Sequence, residues 1–104
     1  MRVTISARHC EINGTLRERA EAVIARLDQL TPFAQEATVV FDDESARHRA
    51  EIRFRLSGGQ VLVATGEGDD HRSALDLAEA RLRRQLERPT AKPRRKQRRS
   101  AGNP

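Results

Sequence analysis

The segment AEIRFRLSGGQVLVATGEG, residues 50–68, decides the fold. In its first half, charged residues alternate with apolar ones at Ala50, Ile52, Phe54 and Leu56. This is the period of a strand with one buried face. A glycine pair then predicts a tight turn, and the apolar pattern continues on a returning strand at Val61, Val63 and Thr65. The segment therefore predicts an antiparallel hairpin.

Upstream of the hairpin the chain predicts two more strands and one helix. Alternation over residues 3–7 predicts a first strand, and the run ATVVF at residues 37–41 predicts a second. Between them, helical spacing connects Leu16, Ala20, Val23, Leu27 and Leu30. Asn13 or Thr15 can cap this helix, and Pro32 closes it. Residues 42–45 (DDES) are expected to form a solvated acidic connection, with weak cation binding by Asp42, Asp43 and Glu44 as the less favoured alternative.

Downstream of the hairpin, one further helix is predicted from about residue 71 to residue 88. Its buried stripe is formed by Leu75, Ala78, Leu82 and Leu86, with Asp70 or Ser73 as the candidate N-cap. Three phenylalanines are assigned to the core: Phe33, Phe41 and Phe54. An exposed aromatic platform for base stacking is therefore not expected.

These elements predict an α+β fold of the order β-α-β-β-β-α. The simplest arrangement is a two-layer sandwich, with a four-stranded sheet and both helices on one face. The long connection through the first helix favours a parallel pairing of the first two strands, and the glycine turn makes the last two antiparallel.

Length and charge divide the chain into a domain and a tail. The 104 residues include 20 Lys or Arg and 15 Asp or Glu. Seven of the basic residues and none of the acidic ones lie in residues 88–104, so residues 1–87 carry a formal charge of −2. We expect an α+β domain over residues 1–88 and a disordered, arginine-rich tail over residues 89–104. No apolar stretch is long enough to span a membrane, and the single cysteine favours a reducing cytoplasm.

Residue types that could support catalysis or bind a metal are sparse. Cys10 follows His9, but neighbouring residues on a strand point to opposite faces, which argues against a thiolate–imidazole pair. The three histidines and the cysteine lack zinc-site spacing, and Gly66-Glu67-Gly68 lacks the context of a phosphate-binding loop. The sequence therefore predicts a protein that is not an enzyme and has no cofactor or metal. We also expect the protein to be a monomer when free.

Arginines on the predicted helices favour nucleic-acid binding. Arg81, Arg84 and Arg88 follow one another at helical spacing and lead directly into the basic tail. Arg17 and Arg26 extend this surface if the two helices lie side by side. The predicted RNA-binding residues are Arg17, Arg26, Arg81, Arg84, Arg88, Lys92, Arg94 and Arg95. A second basic group, Arg47 to Arg55 on the third strand, is either a solvated sheet face or a further RNA contact.

The chain resembles the bacterial ribosome hibernation-promoting factor family, also called ribosome-associated inhibitors or sigma-54 modulation proteins. The resemblance covers residues 1–88. Its matching stretches are ISARHCEI at residues 5–12 with LRE at 16–18, ARLD at 25–28, residues 50–59, ATGE at 64–67 followed by Asp70 and ALD at 74–76, and RLRRQL at 81–86. It implies a short family member whose fold is similar to the double-stranded-RNA-binding domain.

The resemblance also implies a function. Such a protein would bind the small ribosomal subunit and its ribosomal RNA in the messenger and transfer RNA cleft, and would inhibit translation under stress or in stationary phase. Three features depart from the family pattern: Val23 in place of a lysine, the His71-Arg72 pair, and an extra residue in the 66–70 turn. The alternative is a regulatory module that binds a transcription factor or a phosphorelay protein.

Overall fold

The computed structural model describes residues 1–31, 33–43 and 46–87. Its elements, in chain order, are β1 (Arg2–Arg8), α1 (Gly14–Asp28), β2 (Ala34–Asp42), β3 (His48–Leu56), β4 (Val61–Gly68) and α2 (His71–Glu87). The strands form one sheet in the order β1-β2-β3-β4. β1 is parallel to β2, and the other two pairs are antiparallel. The predicted β-α-β-β-β-α order and strand pairing are confirmed.

Side chains cap the start of both helices. Asn13 precedes α1 in an extended conformation, and its Oδ1 accepts a hydrogen bond from the Leu16 backbone N–H at 2.8 Å. Asp70 Oδ1 does the same for the Ser73 N–H at 2.7 Å before α2. These contacts satisfy first-turn donors that have no partner within a helix. The predicted end residues Pro32 and Arg88 lie outside the described residues.

One hydrophobic core lies between the sheet and the helices. α1 contacts β1 and β2, whereas α2 contacts β3 and β4. The largest fully buried side chains come from both helices and from β2 and β3: Phe41, Phe54, Ile24, Leu27, Ile52, Leu75, Leu82, Val23 and Val39. They belong to a single cluster. The two-layer sandwich with both helices on one face is therefore confirmed.

The buried face of β4 differs from the sequence-based expectation. Leu62 and Ala64 are buried, whereas Val61 and Val63 are 41% and 37% exposed. The pairing with β3 explains this, because Leu62 lies opposite the buried Phe54 and Val63 lies opposite Arg53. Residues paired directly across two strands share a face of the sheet. The apolar pattern from β3 therefore continues at the even-numbered residues of β4.

The expectation that all three phenylalanines are buried is wrong for Phe33. Phe41 and Phe54 are fully buried, but Phe33 is 53% exposed. Phe33 lies in the turn before β2, where its backbone oxygen accepts a hydrogen bond from the Ser57 N–H at 2.7 Å. Its backbone therefore joins the turn to the end of β3, while its ring stays at the surface.

Candidate nucleic-acid interface

The two helices lie side by side and are joined by two arginine–carboxylate pairs. Arg19 Nη2 on α1 lies 2.9 Å and 3.1 Å from the two carboxylate oxygens of Asp76 on α2. Arg26 contacts Glu79 through Nε at 2.9 Å and Nη2 at 3.0 Å. Two-point pairs of this kind fix orientation as well as distance. From the sequence, a contribution of Arg26 is conditional on the two helices lying side by side, and the structure meets this condition.

The pair with Glu79 also compensates the charge of Arg26. Burial raises the pKa of Glu79, but hydrogen bonds and attraction from Arg26 and then Arg83 outweigh it, so its net pKa is lowered. Arg83 Nη2 lies 3.4 Å from Glu79 Oε2, one turn earlier on the same helix. One carboxylate therefore serves two guanidinium groups. The interhelical pairs were not predicted from the sequence. The arginines two turns apart on α1 and the acids nearly one turn apart on α2 could have indicated them.

Arg81 lies over the outer edge of β4. Its Nη1 donates to the Thr65 backbone oxygen at 2.9 Å, and the Nε2 of Gln85, one turn further on, donates to the Val63 oxygen at 2.9 Å. β4 is an edge strand, so these carbonyls have no strand on their outer side. The flank of α2 above β4 is thus tied to the edge of the sheet by a guanidinium and an amide.

Arg17 lies at the opposite edge of the sheet. Its Nη1 donates to the Ile5 backbone oxygen of β1 at 3.3 Å. Three strand spacings separate β1 from β4, which amounts to roughly 14 Å. Arg17 and Arg81 therefore do not belong to one compact patch, and Arg26 lies between the helices.

Arg84 is the most available of the described candidates. It is exposed, follows Arg81 by three residues on the same flank of α2, and makes no ion pair within residues 1–31, 33–43 and 46–87. The other four candidates, Arg88, Lys92, Arg94 and Arg95, lie outside the described residues. Among the described candidates, Arg81 and Arg84 lie together along one strip of α2. We call this strip, with Gln85, the α2 flank.

The arginines of the open sheet face are closely interleaved with acids. Glu51 lies 3.9 Å from Arg49 and 3.6 Å from Arg53, and Arg55 Nε lies 3.1 Å from Glu36. Exposed pairs of this kind contribute little to stability, but they reduce the local positive potential. The geometry favours the interpretation of this group as a solvated sheet face.

The expectation of a solvated acidic loop after β2 is wrong for its first two residues. Asp42 belongs to β2, is 4% exposed, and lies 3.3 Å from both Arg8 Nη2 and His9 Nδ1. Asp43 Oδ1 is 2.7 Å from a ring nitrogen of His48 and of His71. His9 and Cys10 follow the end of β1, and His9 has a φ of +60°, so the strand argument against a pair between them does not apply. His9 Nδ1 contacts Asp42 Oδ1 instead.

The fold and its surface define a class of protein: a small two-layer α+β domain with arginines spread over its two helices. No helix among the described residues is both long and apolar enough to cross a membrane. Residues 3–94 match the model of the family described as "Sigma 54 modulation protein / S30EA ribosomal protein". The chain belongs to this family.

Relatives and solved structures agree with this assignment. The chain is 31% identical to the ribosome hibernation promoting factor of Azotobacter vinelandii, over 83% of this chain and 79% of the relative. It is 28% identical to the ribosome hibernation promotion factor of Rhizobium meliloti, over 85% of this chain but only 47% of the relative.

Among solved structures, the N-terminal domain of Thermus thermophilus Protein Y is similar, with a TM-score of 0.72 and 32% identity over 83% of this chain and 96% of that one. A ribosomal subunit interface protein from Coxiella burnetii has the same fold, with a TM-score of 0.77 and 23% identity over 88% and 100% of the two chains. The expected relationship to the hibernation factors is confirmed, and this is a family of ribosome-associated factors rather than of enzymes.

Proposed function

We propose that this protein binds the small ribosomal subunit through ribosomal RNA in the messenger and transfer RNA cleft and inhibits translation under stress or in stationary phase. The proposal rests on the α2 flank. This flank presents Arg81 and Arg84 at the surface and leads in sequence to the basic residues 88–99. The names of the relatives support a ribosomal partner. We expect the protein to act in the cytoplasm, where ribosomes are found.

The proposed contacts are between guanidinium groups and phosphates. Arginine and lysine contacts to the backbone supply affinity without base readout, and they make binding salt-dependent. Arg17, Arg26, Arg81, Arg84, Arg88, Lys92, Arg94 and Arg95 are the proposed RNA-binding residues. The strongest contributions among the described ones are assigned to Arg81 and Arg84, because Arg26 is compensated by Glu79.

Co-sedimentation with purified small subunits tests this assignment. We expect the double variant Arg81→Gln/Arg84→Gln to bind at least tenfold more weakly than the wild type at low salt, and to inhibit cell-free translation correspondingly less. The matched control, Arg53→Gln/Arg55→Gln, removes the same charge from the open sheet face and should bind within twofold of the wild type. Equal losses in the two variants would contradict the choice of surface, and absence of wild-type binding would contradict the function.

The basic tail is proposed as a sequence-independent grip on RNA. A chain that ends at residue 88 lacks six basic residues. Its affinity should fall, and its plot of log affinity against log salt should be flatter by roughly 0.7–0.9 for each phosphate that the tail would otherwise neutralise. A slope that is unchanged by the truncation would exclude these interactions.

The family description also contains sigma-54 modulation, which keeps a regulatory protein-binding role as the second candidate. Ribonuclease treatment of cell extracts distinguishes the two. Association that depends on RNA is lost after digestion, whereas a complex with a transcription factor survives it.

A further inference from the structure

Four potential metal-ligating side chains converge at one end of the sheet. Cys10 follows β1, Asp43 follows β2, His48 begins β3 and His71 begins α2. The ligand atoms of Cys10, Asp43 and His71 all lie within 4.8 Å of one another. A thiol, a carboxylate and two imidazoles thus come together from the ends of four elements, and only Asp43 and His48 are near each other in the sequence.

The histidine rings are held in place by their neighbours. His71 Nε2 and His48 Nδ1 each lie 2.7 Å from the same oxygen, Asp43 Oδ1. The His71 ring also packs edge-on against Phe41 and His48, with centroid distances of 5.6 Å and 4.6 Å. The His71 side chain is only 15% exposed. Its ring is therefore confined close to Asp43 and Cys10.

We propose that Cys10, Asp43 and His71 bind a zinc ion, with His48 orienting the carboxylate of Asp43 and solvent in the fourth position. A set of sulfur, nitrogen and oxygen donors suits Zn²⁺, whereas Mg²⁺ and Ca²⁺ require oxygen ligands. Ligand atoms around tetrahedral zinc are separated by about 3.3–3.8 Å, as follows from bond lengths of about 2.0–2.3 Å. The ligand atoms of Cys10, Asp43 and His71 lie within 4.8 Å of one another, so side-chain rotations can bring them to these separations.

Charge and access are compatible with an ion at this position. On binding, the Cys10 thiol releases its proton to the buffer, and His71 gives up its 2.7 Å hydrogen bond to Asp43 and carries its proton on Nδ1, which frees Nε2 to ligate. The thiolate and the Asp43 carboxylate together then balance the two charges of the metal. The positive end of the α2 dipole disfavours an isolated cation at the start of the helix. The two negative ligands offset this effect. An open groove lined by residues of the Glu11–Leu16 segment and the start of α2 reaches His71, and Cys10 and Asp43 are each partly exposed, so all three ligands are accessible from solvent. The hydrogen bond from His48 to Asp43 is the kind of second contact that fixes a ligating group.

Metal titration of the chelator-treated, untagged chain tests the proposal. Cobalt is the spectroscopic probe, because a Co²⁺–thiolate bond gives a charge-transfer absorption band in the near ultraviolet. We expect one equivalent of Co²⁺ to produce this band and Zn²⁺ to displace it. Saturating Zn²⁺ should also raise the thermal unfolding midpoint, since it binds the folded state.

Three variants assign the ligands. Cys10→Ser should lose the thiolate band and bind Zn²⁺ at least tenfold more weakly, and His71→Gln should also bind at least tenfold more weakly. His9→Gln is the matched control, because His9 adjoins Cys10 but contacts Asp42, and its affinity should stay within twofold. Far-UV circular dichroism without metal shows whether each variant is folded. An affinity unchanged in folded Cys10→Ser, or the absence of the band in the wild type, would overturn the proposal, and neither result depends on ribosome binding.

Discussion

Replacing Gly66 by alanine tests how closely α2 is seated on the sheet. Gly66 lies in β4 directly beneath α2. A Cβ at this position would lie 2.7 Å from the Ala78 backbone nitrogen and 2.9 Å from Leu77 Cβ, and it would also collide with the Ala74 backbone oxygen. Ordinary contacts begin at 3.4 Å. Because two of these atoms belong to the helix backbone, no side-chain rotation relieves the overlap, and α2 must move away from β4.

The expected cost follows from this overlap. Overpacking that displaces backbone costs about 1–3 kcal/mol. Alanine reduces the conformational freedom of the unfolded chain relative to glycine, which returns about 0.4–1 kcal/mol. We therefore expect Gly66→Ala to lower the free energy of unfolding by about 1–2 kcal/mol, out of a total of about 5–15 kcal/mol for a typical domain.

Urea unfolding followed by circular dichroism measures this difference. The midpoint should fall while the slope stays constant, since the surface exposed on unfolding hardly changes. Gly14→Ala is the matched control. Gly14 begins α1, and a Cβ there meets nothing within 4 Å, so its stability should equal or slightly exceed that of the wild type. If Gly66→Ala were as stable as Gly14→Ala, the close seating of α2 would be refuted.

Two further predictions concern β4 and the interhelical contact. Leu62→Ala should cost about 2–4 kcal/mol and Val63→Thr less than about 0.5 kcal/mol in the same urea assay, because only Leu62 faces the core; similar losses would contradict the observed face. Glu79→Gln should cost up to about 1 kcal/mol at neutral pH. Because the folded state lowers the pKa of Glu79, its contribution is present above the unfolded pKa of about 4.3 and is lost as the pH falls through the folded value. The difference between Glu79→Gln and wild type should therefore shrink in acid, and a pH-independent difference would exclude the ion pair as its source.

The sequence predicted the elements well where a periodic pattern was unambiguous. β3 alternates apolar and charged residues, so only one face could be buried, and the structure buries that face. β4 offers no such contrast, because valines occupy one face and leucine, alanine and two glycines the other. The glycines lie on the buried face because α2 leaves no space for a side chain at Gly66, a constraint that arises from tertiary packing.

The Cys10 cluster could not be predicted from spacing, for a different reason. Motif recognition relies on ligands at short fixed separations, as in zinc fingers. Here Asp43 is 33 residues from Cys10 and 28 residues from His71. The parallel pairing of β1 with β2 brings the first two residues to the same end of the sheet, and α2 begins at that end. Without knowledge of how β1 pairs with β2, the sequence gives no reason to place Cys10, Asp43 and His71 close together.

The ion pairs between α1 and α2 help to explain how a domain with a formal charge of −2 over residues 1–87 could bind an anionic partner. On the side of α2 that faces α1, Asp76 pairs with Arg19 and Glu79 pairs with Arg26. The negative charges of these two acids are therefore neutralised on a different side of the helix from the α2 flank. An arginine carries five N–H donors, and Arg81 uses one of them on the Thr65 oxygen. This bond holds the guanidinium at the sheet edge with donors to spare, which reduces the entropy lost on contact with a phosphate. On the proposed function, Arg81 is therefore the oriented contact, whereas Arg84 has no such bond to a backbone oxygen in the described part of the chain. Arg81→Lys, which keeps the charge but not the planar fork, should weaken binding more than Arg84→Lys.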